Sequence, residues 1–296
     1  MTIKDHRLRI FIVRHGQTDH NVQKILQGQL DTPMNSTGYS QSKLLGQRFS
    51  NLTIDKFVTS DLERCQETLR CILEQQPGDL NTNSGATPTL DSSTSSTTLS
   101  NLSNSSNLVV KNTTGPCAEQ DSVKTASQQE FSNHENSIPE SNKKNTFTLQ
   151  LVSSHPKVKI TPNLRERNMG IVQGMYLKDA LAQYGPNFRN YGESESELCT
   201  RVWIEFQQLI AASDDGIEYA LMCTHGGVIT RFFNYLHETL GFKLEEGMSK
   251  DDLKVPFNTS VLIVDIDRYH GEGMIRKFGC TKHLGGEFQV EDQLLR

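Results

Sequence analysis

At 296 residues, with 35% hydrophobic and 22% charged residues and a net charge of −5, the chain suffices for one large domain or two small ones, yet its apolar content is low for a chain folded throughout. No basic block interrupts the sequence, which excludes nucleic acid as an expected partner. The segment Met1–Arg9 is polar and the apolar run Leu8–Val13 is short, so neither a signal nor a membrane span is expected, and a cytoplasmic or nuclear location is.

Leu8–Val13 (LRIFIV) is β-branched and apolar, a buried strand that ends at Arg14-His15-Gly16. Ser36 and Thr37 open a helix to about Phe49, and Phe57-Val58 forms a second short strand. Ser60-x-x-Glu63 reads as a capping box. Behind it Leu62, Cys65, Leu69, Ile72 and Leu73 recur at helical spacing, which predicts a helix from Asp61 to about Gln75. From about 77 to 145 the character changes: Asn81–Gly115 is about two-thirds Ser, Thr and Asn and has no apolar period with which to offset its ordering entropy. The segment is expected to be a disordered insertion in one surface loop. It is either a tolerated insertion or a regulatory loop that kinases and other partners address.

Order is expected again at Val158–Ile160, followed by the polar turn Leu164–Gly174 and helices near Tyr176–Tyr184 and Glu195–Ala212. Tyr219–Cys223 is a strand ending at Thr224-His225-Gly226-Gly227, Val228–Leu240 is helical, and Ser260–Asp265 and Met274–Phe278 are closing strands. Alternating strands and helices predict a three-layer α/β domain with a largely parallel sheet and helices on both faces. A single domain spanning 1–296, interrupted by the insertion, accommodates all of this. The six cysteines (Cys65, Cys71, Cys117, Cys199, Cys223 and Cys280) form no Cys-x-x-Cys pair and read as free thiols.

His15 and His225 stand in the same setting, each after a short buried strand and before glycine. In α/β sheets the carboxyl ends of strands form the ligand crevice. Arg14 adjoins the first histidine. Arg64 sits at the start of the Asp61 helix, where its forked donors would join the positive helix end to receive phosphate. Glu166, between Arg165 and Arg167, is either a proton-transfer group or one member of a surface ion-pair network. Taken singly, each of these residues has a structural reading; the two histidines in matching settings are harder to dismiss.

Val13-Arg14-His15-Gly16-Gln17-Thr18 with Asn21, Gln27-Gly28, Ser60-Asp61-Leu62-x-Arg64, Leu164-Arg165-Glu166, Thr224-His225-Gly226, Asn258-Thr259-Ser260 and His283-Leu284 together resemble the histidine phosphatase (phosphoglycerate mutase-like) superfamily, in the family's order. The wording around Gln27 and Glu166 is most similar to the fructose-2,6-bisphosphatase, TIGAR-type branch. The resemblance implies that His15 becomes phosphohistidine and that Arg14, Arg64 and His225 surround the phosphoryl group. It makes Glu166 the proton donor to the leaving alcohol, with Asn21, Gln27, Gly28 and Arg167 on the substrate side and neither metal nor cofactor. For His225 the role requires a protonated or donating imidazole.

Where relatives commonly carry tyrosine, three residues after the glutamate, this chain has Met169, which offers no hydroxyl to a second substrate phosphate. Arg167 and Lys178 are the only nearby basic groups expected to serve such a phosphate. The expected function is hydrolysis of small phosphate monoesters, of broad specificity or directed to a sugar bisphosphate such as fructose 2,6-bisphosphate. A mutase and a non-catalytic interaction protein are the alternatives.

Overall fold

The computed structural model describes residues 7–77, 150–213, 216–268 and 270–290. The expected insertion at 77–145 therefore lies almost wholly outside the described residues, and so does Cys117. The described residues belong to one compact unit.

In chain order the elements are β1 (Arg7–Arg14), α1 (Asp19–Gln23), α2 (Ser36–Phe49), β2 (Lys56–Ser60), α3 (Glu63–Leu73), β3 (Val158–Thr161), α4 (Leu177–Tyr184), α5 (Glu195–Ala212), β4 (Tyr219–Thr224), α6 (Gly226–Glu238), β5 (Lys243–Leu244), β6 (Val261–Asp267) and β7 (Gly273–Cys280), with short 3-10 turns between some of them. The strands form one sheet in the order β3-β2-β4-β1-β6-β7-β5. Pairings β3·β2, β2·β4, β4·β1 and β5·β7 are parallel, whereas β1·β6 and β6·β7 are antiparallel. The sheet is thus largely parallel, as expected.

Why β1 lies near the centre follows from its composition. A strand paired on both edges and covered on both faces needs an unbroken apolar run, and residues 10–14 are all buried. Its side chains alternate between two cores. Leu8, Ile10 and Ile12 pack with Leu198, Val202 and Phe206 of α5 and Val228, Ile229 and Phe232 of α6. Phe11 and Val13 pack with Leu45 and Phe49 of α2 and Cys65, Leu69 and Ile72 of α3. Two helix layers therefore enclose the sheet. Burying each such side chain contributes about 1.5–3 kcal/mol.

Several local readings change. Helix α2 is capped by Asn35, whose side chain accepts from Gly38 N at 2.9 Å, one residue earlier than expected. The Ser60 capping box does not form: α3 starts at Glu63 with Leu62 at its N-cap and no side-chain cap. Ser60 has a different partner, described below. Helix α1 was not legible as a helix, because five residues are too few to show a period; its signal is the reciprocal Thr18/Asn21 capping box.

Candidate active site

Strands β1 and β4 are parallel neighbours with Arg14 in register with Thr224. The next residue of each chain is a histidine, so His15 and His225 emerge side by side at the carboxyl edge, ring centroids 5.2 Å apart. Both are buried, at 2% and 0% exposure. Nδ1 of His15 lies 2.7 Å from the carbonyl of Gly16. A carbonyl only accepts, so Nδ1 carries the proton and Nε2 keeps its lone pair. Burial holds this imidazole well below the usual histidine range, with Arg64 and Arg14 adding to the effect. It is neutral at pH 7.

His225 is wired differently. Arg64 Nε donates to its Nδ1 at 3.2 Å, which leaves the proton on Nε2, 3.0 Å from Ser60 Oγ. Burial first, then Arg64 and His15, push its pKa well below the usual value. Of the two expected states, protonated or donating, the ring takes the second, with Ser60 as its acceptor. The ring is neutral, and its one N–H faces Ser60. Serving a phosphate requires a proton on Nδ1, and an arriving anion would favour that.

Arg64, 1% exposed, also donates from Nη1 to Leu30 O at 2.7 Å and from Nη2 to Gly28 O at 3.0 Å. Gly28 has φ +49, which glycine adopts freely; a Cβ there would lie 2.4 Å from Gln173 Oε1. Arg14 donates from Nη1 to Pro256 O at 2.7 Å. The following Asn258 donates from Nδ2 to His15 O at 2.9 Å and to Asn21 Oδ1 at 3.2 Å. Because β6 is antiparallel, the loop entering it reaches the same edge as the ends of β1 and β4. Thr259 adopts φ +58, an outlier for a β-branched residue. It is held by its N–H to Arg14 O at 3.1 Å and its hydroxyl 3.2 Å from His283 Nε2.

Among the described residues Glu166 forms no ion pair with Arg165 or Arg167. Arg165 makes a two-pronged pair with Asp61 instead, at 2.8 and 2.6 Å, and Arg167 Nε donates to Glu193 O at 2.7 Å. The Glu166 carboxylate accepts from the backbone N–H groups of Arg167, Gly227 and Val228 at 2.8, 3.0 and 3.1 Å, the last two at the start of α6. Glycine at 227 leaves room for this approach, since a Cβ there would come 2.6 Å from Glu166 Oε1 and displace the carboxylate. Arg201 on α5 clamps the loop. It donates to the carbonyls of Asn163 and Arg165 at 2.7 Å each and of Glu166 at 3.2 Å. It is anchored by both oxygens of Glu193, at 2.6 and 2.8 Å.

A cavity of about 410 Å³ brings Arg14, His15, Arg64 and Glu166 together with Asn21, Gln27, Gly28 and Arg167; His225 is not in its lining, although its partner Arg64 and its neighbour Gly226 are. Asn21 and Gln27 are partly committed to the protein: Asn21 Oδ1 accepts from Thr18 N, and Gln27 Oε1 accepts from the hydroxyls of Thr18 and Thr32 at 3.1 and 2.7 Å. The expectation about distal basic groups is corrected. Lys178 lies over the Tyr176 ring and does not line the cavity, whereas Arg189, Arg231, Lys24 and Lys254 do. Sequence reading also missed Ser60 as the partner of His225 and Arg201 as the clamp on the Glu166 loop; Asn258 and Gly227 it displayed in motifs without assigning them a role. Arg189 and Arg231 carry no local signal, since arginines on amphipathic segments are ordinary.

A buried, neutral imidazole at a strand end, with the guanidinium groups of Arg14 and Arg64 beside it, defines an anion pocket with an unprotonated ring nitrogen in it. The chain belongs to the histidine phosphatase superfamily (branch 1), whose profile matches residues 10–85 and 144–276. The broad-specificity phosphatase YOR283W of Saccharomyces cerevisiae is 29% identical over 98% of this chain and 93% of its own. Fructose-2,6-bisphosphatase TIGAR of Mus musculus is 40% identical, but over 70 residues only, 23% of this chain and 26% of its own. The phosphoglycerate mutase of Bacillus anthracis shares the fold at TM-score 0.57 and 16% identity, covering 95% of this chain and 96% of that one.

Proposed function

We propose that this enzyme, a phosphatase of the histidine phosphatase superfamily, hydrolyses small phosphate monoesters through a phosphohistidine on His15. The observation that carries the reading is the wiring of His15. Its Nδ1–H is spent on Gly16 O, and burial keeps Nε2 unprotonated in a pocket of positive charge. A neutral imidazole there attacks phosphorus without first losing a proton. Arg14 and Arg64 offset the charge that develops on the phosphoryl oxygens. Glu166, carrying a proton, gives it to the departing alcohol oxygen as the P–O bond breaks and the N–P bond forms. Glu166 then takes a proton from water, which attacks the phosphohistidine and releases phosphate and free His15.

The similarity to a broad-specificity phosphatase along nearly the whole chain supports hydrolysis over phosphoryl return to an alcohol, and the short match to TIGAR leaves fructose 2,6-bisphosphate as one ester among several to assay. A panel of esters offered to the purified protein, with labelled substrate quenched in alkali during turnover, tests the reading. Phosphate on the protein that survives alkali and is lost in acid is the expected result. Turnover with no such label would replace phosphohistidine by direct attack of water.

A further inference from the structure

Three parallel strands, β2, β4 and β1, lie side by side in that order across the sheet, and each ends at the carboxyl edge on a polar residue. Thr59 is in register with Cys223, and Arg14 with Thr224, so Ser60 and His15 flank His225 from its two sides. Of the three, Ser60 has no part in the hydrolysis as proposed. It closes β2, is fully buried and leaves α3 without a side-chain cap. A buried hydroxyl costs free energy unless it is hydrogen-bonded. Its oxygen accepts from Leu62 N at 3.3 Å and meets Nε2 of His225 at 3.0 Å. Cys65 Sγ also lies 3.5 Å from that nitrogen, but sulfur is a weak partner.

The other ring nitrogen, Nδ1, accepts from Arg64 Nε at 3.2 Å. To hold a phosphoryl oxygen it must carry a proton and donate. Either the ring becomes imidazolium, or the proton leaves Nε2 and Nδ1 carries it instead. A hydroxyl suits both outcomes, because it accepts from Nε2–H and donates equally well to a bare Nε2. A carbonyl in that place would serve only the protonated nitrogen.

We infer that Ser60 is a positioning residue for His225, its hydroxyl holding the ring at Nε2 while Nδ1 changes from accepting from Arg64 to donating to the phosphoryl group. It touches no substrate atom and acts through the imidazole. The inference rests on the phosphatase reading of the same pocket.

A double-mutant cycle between Ser60 and His225 in the full chain tests it. With an alkyl phosphate, Ser60→Ala should lower kcat about 10- to 10²-fold with KM nearly unchanged, as misplacement of a catalytic group does. Ser60→Thr, which keeps the hydroxyl, should recover most of the loss. In a His225→Ala background Ser60→Ala should cost little more, whereas a merely structural serine would cost the same in both backgrounds. Nitrogen NMR of the His225 ring in the wild type, without and with inorganic phosphate, gives a reading that needs neither turnover nor a folded Ser60→Ala. Phosphate should bring a proton to Nδ1, and Nε2 should stay hydrogen-bonded in both states. Wild-type kcat in Ser60→Ala, equal losses in the two backgrounds, or the shift of a free lone pair at Nε2 overturns the inference. If the wild type turns over no ester, yet the phosphate-induced change at Nδ1 persists in Ser60→Thr and is lost in Ser60→Ala, Ser60 keeps its role and the phosphatase reading falls instead.

Discussion

At the end of β1, His15 donates from Nδ1 to a backbone carbonyl and leaves Nε2 unprotonated; at the end of β4, His225 accepts at Nδ1 from Arg64 and rests Nε2 against Ser60. The flanking sequences are alike, and burial and nearby arginines depress both rings. What separates them is the partner of one nitrogen. The difference teaches that a histidine's role is set by the hydrogen bond its other nitrogen makes. A strand that ends in His-Gly places an imidazole in the crevice, but only the partner decides whether it attacks or assists.

Replacing each ring is the most severe way to break this contrast. His15→Ala should abolish covalent label and lower turnover on the order of 10⁴-fold or more, as loss of a nucleophile does elsewhere. His225→Gln should still form label, with the rate of labelling lowered about 10²–10³-fold, the usual cost of one preorganised donor. Rapid-quench labelling of the two variants is the measurement. Label in His15→Ala, or equal label in both, would end the distinction.

The next effect concerns Glu166, which is fixed at the opening of α6 behind His225. A proton donor matters most when the leaving group is poor. Glu166→Gln should slow hydrolysis of an alkyl phosphate by about 10²–10⁴-fold and that of a nitrophenyl phosphate far less. Equal losses on both esters would show that the carboxylate only shapes the loop.

These two predictions rest on residues the sequence displayed, and there is a physical reason for that. His15, Arg64, Glu166 and His225 each sit in a short run whose neighbours are constrained by strand burial, a helix start or a close backbone approach, so each leaves a local mark. Gly227 is an example, since its Cβ would strike Glu166. The layered α/β fold was legible for the same reason: β1 and β4 are continuous apolar runs. Ser60 was misread because serine before a helix suits a cap as well as it suits a partner for His225, and no local rule separates the two. Arg189, Arg201 and Arg231 were silent. Their meaning lies in what α5, α6 and the turn after α4 bring together, and single-sequence periodicity carries no information about those distances.

Arg201 offers a finer test. It touches no reacting atom and acts as a positioning residue, holding the carbonyls of Asn163, Arg165 and Glu166. Arg201→Met should reproduce the leaving-group pattern of Glu166→Gln at smaller size, about 10- to 10²-fold on alkyl esters, as a modest misplacement of a catalytic group does. Arg201→Lys should recover part of it. A uniform loss on alkyl and aryl esters, tracking a fall in Tm, would reduce Arg201 to a fold-stabilising role.

The smallest expected effect falls behind His15, at His283. Its Nδ1 faces the Arg48 guanidinium, which can only donate, and its Nε2 faces the hydroxyl of the strained Thr259. The ring is therefore neutral. Burial, then Arg48, lower its pKa to about 4. The unfolded chain takes up a proton near pH 6.5 and the folded one does not, so this ring's contribution to stability is complete above pH 6.5 and is lost as pH falls towards about 4. Between pH 7.5 and pH 5 the full shift would be worth about 2 kcal/mol, and partial exposure of the ring reduces that to about 1 kcal/mol. His15 and His225 lose stability in the same direction, so the wild type should unfold more readily in urea at pH 5 than at pH 7.5 regardless. In His283→Gln that acid-side loss should shrink by about 1 kcal/mol, because glutamine cannot take up the proton. If the two proteins lose stability in parallel between those pH values, the His283 ring is not held neutral between Arg48 and Thr259, and the acid-side loss belongs to other groups.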